Sequence, residues 1–263
     1  MNRLGRVFLV GAGPGDPELL TLKAVRLIGR AEVVVHDRLV SAEVLAMAPA
    51  SARKISVGKA PKHHPVPQDQ INEMLVSLAG HGLSVVRLKG GDPYIFGRGA
   101  EEIECLKRAG IPYEVVPGIT AAQGCSAATG VPLTHRGLAT GVRYVTGHCR
   151  ADLPLDLDWA GMADTETTLV VYMGAASIAE ISDNLIAHGM PADLPVLAIN
   201  NATTPAERRL VARLDDIAGR ARSADFDGPV LFIMGRVVSL YEECPDAVLA
   251  RIAADLPREL ADA

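Results

Sequence analysis

The sequence predicts an α/β protein organised as two domains, and three observations support that reading. Short apolar runs of strand length, such as Val7 to Val10, Glu32 to Val35, Ser84 to Leu88 and Tyr113 to Val116, alternate with segments whose apolar residues recur at helical spacing. Several of these runs end in loops rich in glycine and proline, the position at which open α/β sheets bind ligands. Aromatic residues make up only 4% of the chain while Ala, Val, Leu and Gly abound, a composition suited to close helix–sheet packing. At 263 residues and 49% hydrophobic, the chain is long enough for one large core or two smaller ones. The regular alternation weakens after Pro117-Gly118, so the expected division is 1–118, 119–242 and a charged amphipathic tail helix over 243–263.

The first run opens into Gly11-Ala12-Gly13-Pro14-Gly15-Asp16-Pro17-Glu18. Asp16 suits a helix N-cap and Pro17 the first helical position; Leu20, Ala24, Leu27 and Ile28 then share one face up to Gly29. The stretch fails as a dinucleotide fingerprint. Asp16 stands where the third glycine belongs, and a proline and a carboxylate crowd the N–H groups that a pyrophosphate would need. The second run ends at His36-Asp37-Arg38, which puts Asp37 at the carboxyl end of a strand; a turn-forming acid and a site residue are equally good readings of it. Ile55 to Lys59 reads as a third strand leading into a polar loop with Lys62, His63 and His64. Gln68 to Leu78 reads as an amphipathic helix with Ile71, Leu75 and Leu78 on one side.

Ser84 to Leu88 feeds the central stretch, Lys89-Gly90-Gly91-Asp92-Pro93-Tyr94-Ile95-Phe96-Gly97-Arg98-Gly99-Ala100-Glu101-Glu102. Its glycines, the turn forced by Asp92-Pro93, Arg98 and the glutamate pair read as a glycine-lined pocket with charged groups on its rim; the alternative is a long structural turn. A helix over Glu101 to Arg108 follows. Further on, the small residues from Ile119 to Gly130 let a helix lie close to a strand or a ligand. Strands are expected at Val142 to His148, Thr168 to Gly174 and Pro229 to Gly235; Val196 to Ile199 is a short apolar run, and Arg208 to Leu214 alternates in part. Ser177 with Glu180 has capping-box spacing for a helix reaching His188, and 152–164 reads as an irregular acidic excursion.

A formal charge of −5 offers no electrostatic footprint for nucleic acid or an anionic membrane. No apolar stretch reaches membrane-spanning length, and the first residues lead into a strand instead of a signal-peptide core. Cys105, Cys125, Cys149 and Cys244 form no CxxC pair, which argues against a zinc site or a disulfide framework and fits a reducing cytoplasm. No metal is expected.

Five ordered motifs resemble those of the tetrapyrrole methylases: Val10 to Ala24, His36-Asp37-Arg38-Leu39-Val40-Ser41, Gly90 to Glu102, Val116-Pro117-Gly118-Ile119-Thr120-Ala121, and Pro132-Leu133-Thr134-His135-Arg136. The resemblance implies two α/β domains with S-adenosyl-L-methionine in the cleft between them, and a homodimer. It also implies successive methyl transfers to C2 and C7 of uroporphyrinogen III, giving precorrin-2 and S-adenosyl-L-homocysteine. Another precorrin methyltransferase of the same fold, or a non-catalytic nucleotide-binding module, is the alternative. Carried over residue by residue, the cofactor contacts fall on Pro14, Gly90, Gly91, Asp92, Ile95, Thr120, Ala121, Met173 and Ala202. Substrate binding and proton removal fall on Asp37, Lys59, Arg98, Glu101 and Met173. Asp37 is the chemically natural base, because a guanidinium at Arg98 is a poor proton acceptor. The substrate's carboxylates call for local cations, which Arg38, Lys59, Lys62, Arg98, His135, Arg136 and Arg150 supply. Two positions depart from the family pattern: Gly137, where an acid commonly follows His-Arg, and Asn200, where a glutamate is usual.

Overall fold

The computed structural model describes residues 4–58, 66–148 and 155–241, and the chain divides into two compact units in sequence between Ala121 and Ala122. The first unit holds strands β1 (Arg6–Gly11), β2 (Val33–His36), β3 (Arg53–Ser56), β4 (Ser84–Lys89) and β5 (Tyr113–Val116), joined by helices α1 (Leu22–Ile28), α2 (Ala42–Ala46), α3 (Gln68–Gly80) and α4 (Gly99–Arg108). All strand pairs are parallel, in the order β3-β2-β4-β1-β5. The loops that leave β1, β2, β4 and β5 therefore emerge along one edge, where ligands bind in such sheets.

Side chains on a strand alternate between faces, and here both faces are covered. Val10, Val34, Val86 and Leu88 pack against Ala24 and Ile28 of α1 and Val44 of α2. Val7, Leu9, Val33, Val35 and Val85 pack against Ile71 and Leu75 of α3 and Ile103 and Leu106 of α4. The same parity turns Arg87 and Lys89 of β4 towards α3 and α4.

The second unit contains α5 (Ala121–Thr129, whose first residue closes the first unit), β6 (Gly141–Thr146), α6 (Trp159–Met162), β7 (Thr167–Tyr172), α7 (Ile178–Ala187), β8 (Pro195–Asn200), β9 (Arg208–Arg213), α8 (Ile217–Ser223) and β10 (Val230–Met234). Its sheet runs β6-β7-β10-β8-β9 and is mixed: only β6 and β7 are parallel. The short β8–β9 connection is what antiparallel strands allow, and it is why the βα alternation fades in this half. Phe232, fully buried, sits in a core with Leu169, Val171, Ile181, Leu185 and Val196. No helix among the described residues is long and apolar enough to cross a membrane.

Four local expectations change. Asp16 caps only a single 3-10 turn, Pro17–Leu19, by accepting from Glu18 N at 2.8 Å. The α-helix proper starts at Leu22, because Thr21 Oγ1 accepts from Ala24 N at 3.1 Å and forms a second cap. β3 lies two residues earlier than the apolar run Ile55 to Lys59 suggests; as an edge strand it is largely exposed, so burial does not imprint an alternation on it. Ser177 makes no side-chain capping bond to α7; its hydroxyl donates instead to the Gly147 carbonyl at 2.6 Å, a tertiary contact. The excursion after residue 154 contains α6, capped by Asp158, which accepts from Gly161 N at 3.0 Å. The expected tail helix lies outside the described residues.

The loops leaving β1, β4 and β5 are stacked backbone against backbone. Gly91 N donates to the Gly13 carbonyl at 2.7 Å, and Gly13 N returns a bond to the Gly91 carbonyl at 3.2 Å. A Cβ on Gly118 would lie 2.2 Å from the Gly91 carbonyl oxygen and 2.8 Å from Gly11 Cα, so only glycine fits there. Gly118→Ala should therefore lower unfolding free energy by about 1–3 kcal/mol through overpacking. Gly80→Ala, where a Cβ meets nothing within 4 Å, should be neutral or slightly stabilising. Urea unfolding of the two variants tests this; equal stabilities would refute the packing argument.

Candidate active site

In the centre of the parallel sheet, near its carboxyl end, β4 carries two charges into the interior. Arg87 is 1% exposed, Lys89 3% and Glu102, in the first turn of α4, 0%. Arg87 Nε donates to Glu102 Oε1 at 3.0 Å, Nη1 to the Leu88 carbonyl at 3.2 Å and Nη2 to Asp37 Oδ1 at 2.6 Å. Lys89 Nζ donates to the same Glu102 Oε1 at 3.0 Å and lies 3.9 Å from Asp37 Oδ2. Gln68 Nε2, at the start of α3, adds a third bond to that oxygen at 3.2 Å. Glu102 Oε2 is buried with no hydrogen-bonding partner among the described residues. Burial first, and then the adjacent Arg87 charge, pull the Lys89 ammonium below the usual lysine range against the opposing influence of Glu102 and Asp37.

Asp37 leaves β2 beside this group. Its backbone N–H donates to the Leu88 carbonyl at 3.3 Å, and its side chain remains 31% exposed. Position alone left Asp37 between a turn residue and a site residue. The structure shows a partly exposed carboxylate held by the buried Arg87 through Oδ1 and faced by the buried Lys89 at Oδ2.

The glutamate pair expected on the loop rim separates. Glu101 is exposed and grips Arg98 through two parallel bonds, Nε to Oε1 at 2.8 Å and Nη2 to Oε2 at 2.7 Å. Glu102 points inward. Adjacent helical positions differ by about 100° around the axis, so when one faces solvent the other can face the sheet. The hydrogen bonds to Glu101 hold the Arg98 guanidinium above its ordinary value, which makes Arg98 a still poorer proton acceptor. Asp92 uses both oxygens on the backbone: Oδ1 accepts from Tyr94 N at 2.8 Å and Oδ2 from Gly118 N at 3.0 Å. It thereby ties the loop after β4 to the end of β5. Thr120 is buried, and Pro14, Gly90, Gly91, Ile95 and Ala121 are partly exposed on the same set of loops.

In the second unit, Met173 follows β7 with φ +54° and a half-exposed side chain. Ala202 sits between Asn201 and Thr203, which have φ +49° and +62°. With Phe96 and Arg98 in the central stretch, five of the six left-handed non-glycine residues among the described residues lie at or next to positions expected in the site. Such backbone costs on the order of 1–3 kcal/mol each and gathers where function requires it. Asn200, one of the two departures from the family pattern, is buried; its amide donates to the carbonyls of Asp227 at 2.9 Å and Pro229 at 3.1 Å. A glutamate carboxylate has no donor for those carbonyls.

Lys59, Lys62 and Arg150 lie outside the described residues, while Arg38, His135 and Arg136 are exposed on loops. The sequence reading singled out neither Arg87 nor Lys89 and put Glu102 on the loop rim, whereas the structure buries all three together. The available signal was two cations spaced i, i+2 in an otherwise apolar strand, which puts both on one face.

The family model described as Tetrapyrrole (Corrin/Porphyrin) Methylases matches residues 6–218. Uroporphyrinogen-III C-methyltransferase of Paracoccus denitrificans (strain Pd 1222) is 63% identical over 241 residues, 92% of this chain and 84% of its own. Siroheme synthase of Acinetobacter baylyi is 52% identical over 91% of this chain, which spans only 52% of that longer relative. The crystal structure of uroporphyrin-III C-methyl transferase from Thermus thermophilus complexed with S-adenyl homocysteine has a TM-score of 0.78 and 46% identity, covering 90% of this chain and 100% of its own.

The strain at Met173 makes a stability prediction. Met173→Gly should be at least as stable as Met173→Ala, by up to about 1 kcal/mol, because glycine alone enters the left-handed region without a steric penalty. If thermal unfolding ranks alanine clearly above glycine, the strain is absent in solution.

Proposed function

The chain belongs to the tetrapyrrole (corrin/porphyrin) methylases, and from that premise we propose that it methylates uroporphyrinogen III at C2 and C7, as an S-adenosyl-L-methionine-dependent C-methyltransferase, to give precorrin-2. The observation that carries this reading is the 63% identity, over 92% of the chain, to a protein named for that activity. We further propose that it works as a homodimer in the cytoplasm.

The glycine loop is assigned to the cofactor. A Cβ on Gly91 would meet nothing nearer than 3.9 Å, and the atoms it would then face are Ala121 N and Thr120 Cα. A side chain there would fill the space between the two loops assigned to the cofactor. Pro14, Gly90, Gly91, Asp92, Ile95, Thr120 and Ala121, together with Met173 and Ala202, are the residues we assign to holding it. Bound S-adenosyl-L-methionine supplies a methyl group already activated on a sulfonium.

The protein then has to orient the acceptor carbon, exclude water and remove a ring proton. Asp37 is the proton acceptor in this reading, being a carboxylate anchored through one oxygen and partly open. Arg98, splayed by its two bonds to Glu101, binds substrate carboxylate, with Arg38, Lys59, His135 and Arg136 as further cations. Met173 contributes apolar contact from its strained position.

Incubation with freshly reduced uroporphyrinogen III and S-adenosyl-L-methionine should give a product heavier by two methyl groups; an unchanged substrate mass would refute the assignment. Asp37→Asn should depress the single-turnover rate at saturating substrate while leaving affinity nearly intact. Arg98→Lys should weaken substrate affinity roughly ten- to a hundred-fold, since a point charge replaces a planar guanidinium that Glu101 holds in place through two bonds. The opposite pattern would exchange the two roles.

A further inference from the structure

The buried charges behind Asp37 have more structure than a salt bridge needs. Two cations and two carboxylates converge from β2, β4 and α4, with Gln68 of α3 completing the ring. The two carboxylates do not share the cations equally. Glu102 Oε1 takes Arg87, Lys89 and Gln68 together, at 3.0, 3.0 and 3.2 Å. Among the described residues, Asp37 receives one short bond, on Oδ1, and Oδ2 faces the Lys89 ammonium at 3.9 Å. Glu102 is fully buried, so it cannot meet substrate; its effect on chemistry has to pass through Arg87 and Lys89.

We infer that Arg87, Lys89 and Glu102 are positioning residues for proton removal: Arg87 clamps Asp37 through Oδ1, leaving Oδ2 as the oxygen that receives the ring proton, and Glu102 tempers how strongly the two cations draw on that carboxylate. The step balances simply. A proton leaves the methylated macrocycle, its bonding electron pair stays in the ring, and the neutral carboxylic acid formed at Asp37 later releases the proton to solvent. Lys89 is set to respond to that change of charge, because burial already weakens its hold on its own proton. Of the neighbouring titratable groups, His36 turns Nδ1 to the Asp37 backbone carbonyl at 3.0 Å, and Arg38 is exposed.

This inference rests on Asp37 being the proton acceptor, and the test separates the two ideas. Single-turnover rates are measured against pH, at saturating cofactor and substrate, for the parent, Lys89→Met, Glu102→Gln and Asp37→Asn. Removing the nearby cation makes a carboxylate harder to ionise, so the acidic limb of the Lys89→Met profile should move to higher pH. Removing the nearby anion should move the limb of Glu102→Gln to lower pH. Each shift is expected to be roughly half to one unit, which on the limb is about a three- to tenfold change in rate, in opposite directions. S-adenosyl-L-homocysteine binding, measured by calorimetry, should change less than about twofold, which a general loosening of the fold would not allow. Limbs that stay in place, or shift in the same direction, while Asp37→Asn abolishes turnover overturn the positioning role and leave Asp37 standing. Full turnover by Asp37→Asn overturns the reading beneath it. If one of the near-isosteric variants does not fold, the sign of the other's shift decides.

Discussion

Arg87 and Glu102 are charges without water, and the first unit is arranged around that fact. Even after relaxation, taking one ion into a protein interior costs several kcal/mol, and only close, well-directed partners offset it. Arg87 therefore spends Nε on Glu102, one terminal nitrogen on the Leu88 carbonyl and the other on Asp37. These partners arrive from β2, β4 and α4, so the network exists only when all of them are in register. A slip of β4 by one residue would turn Arg87 and Lys89 onto the face lined by Val10, Val34 and Ala24, where no acceptor waits. The same interaction that fixes the strands thus fixes the place where Asp37 emerges.

Around that fixed edge, the loops are held by backbone contacts that tolerate little change. Gly11, Gly91 and Gly118 approach too closely for a Cβ at two of the three, and Asp92 bolts two of the loops together through the Gly118 N–H. In the second unit the corresponding loops rest on side-chain clamps. The amides of Asn200 and Asn201 both reach the Asp227 carbonyl, and Ala122 N donates to the Tyr172 hydroxyl at 3.0 Å. Left-handed residues survive where such contacts over-determine the chain. Gly11 and Gly118 are thus required by internal packing, whereas a Cβ at Gly91 would meet nothing nearer than 3.9 Å.

Apolar periodicity and glycine placement are local properties, and what rests on them was legible in the sequence alone. The strand–helix alternation of the first unit, the break in regularity near Pro117-Gly118, the position of Asp37 at a strand end and the five ordered motifs all belong to that kind. So does membership of the methylase family, since a motif is a run of neighbours. The tertiary structure alone decided which charges went inside. Glu101 and Glu102 are adjacent and chemically identical, and only the docking of α4 on the sheet makes one a solvent-facing partner of Arg98 and the other a buried anchor. Arg87 lies unremarked within the apolar run Ser84 to Leu88; its partners, 15 and 50 residues away in sequence, are what make it an anchor. Ser177 matched a capping box yet serves the Gly147 carbonyl 30 residues upstream. A side chain with several possible partners chooses by distance in space, and desolvation penalises every choice that leaves a charge alone; that comparison can be made only after the chain has folded.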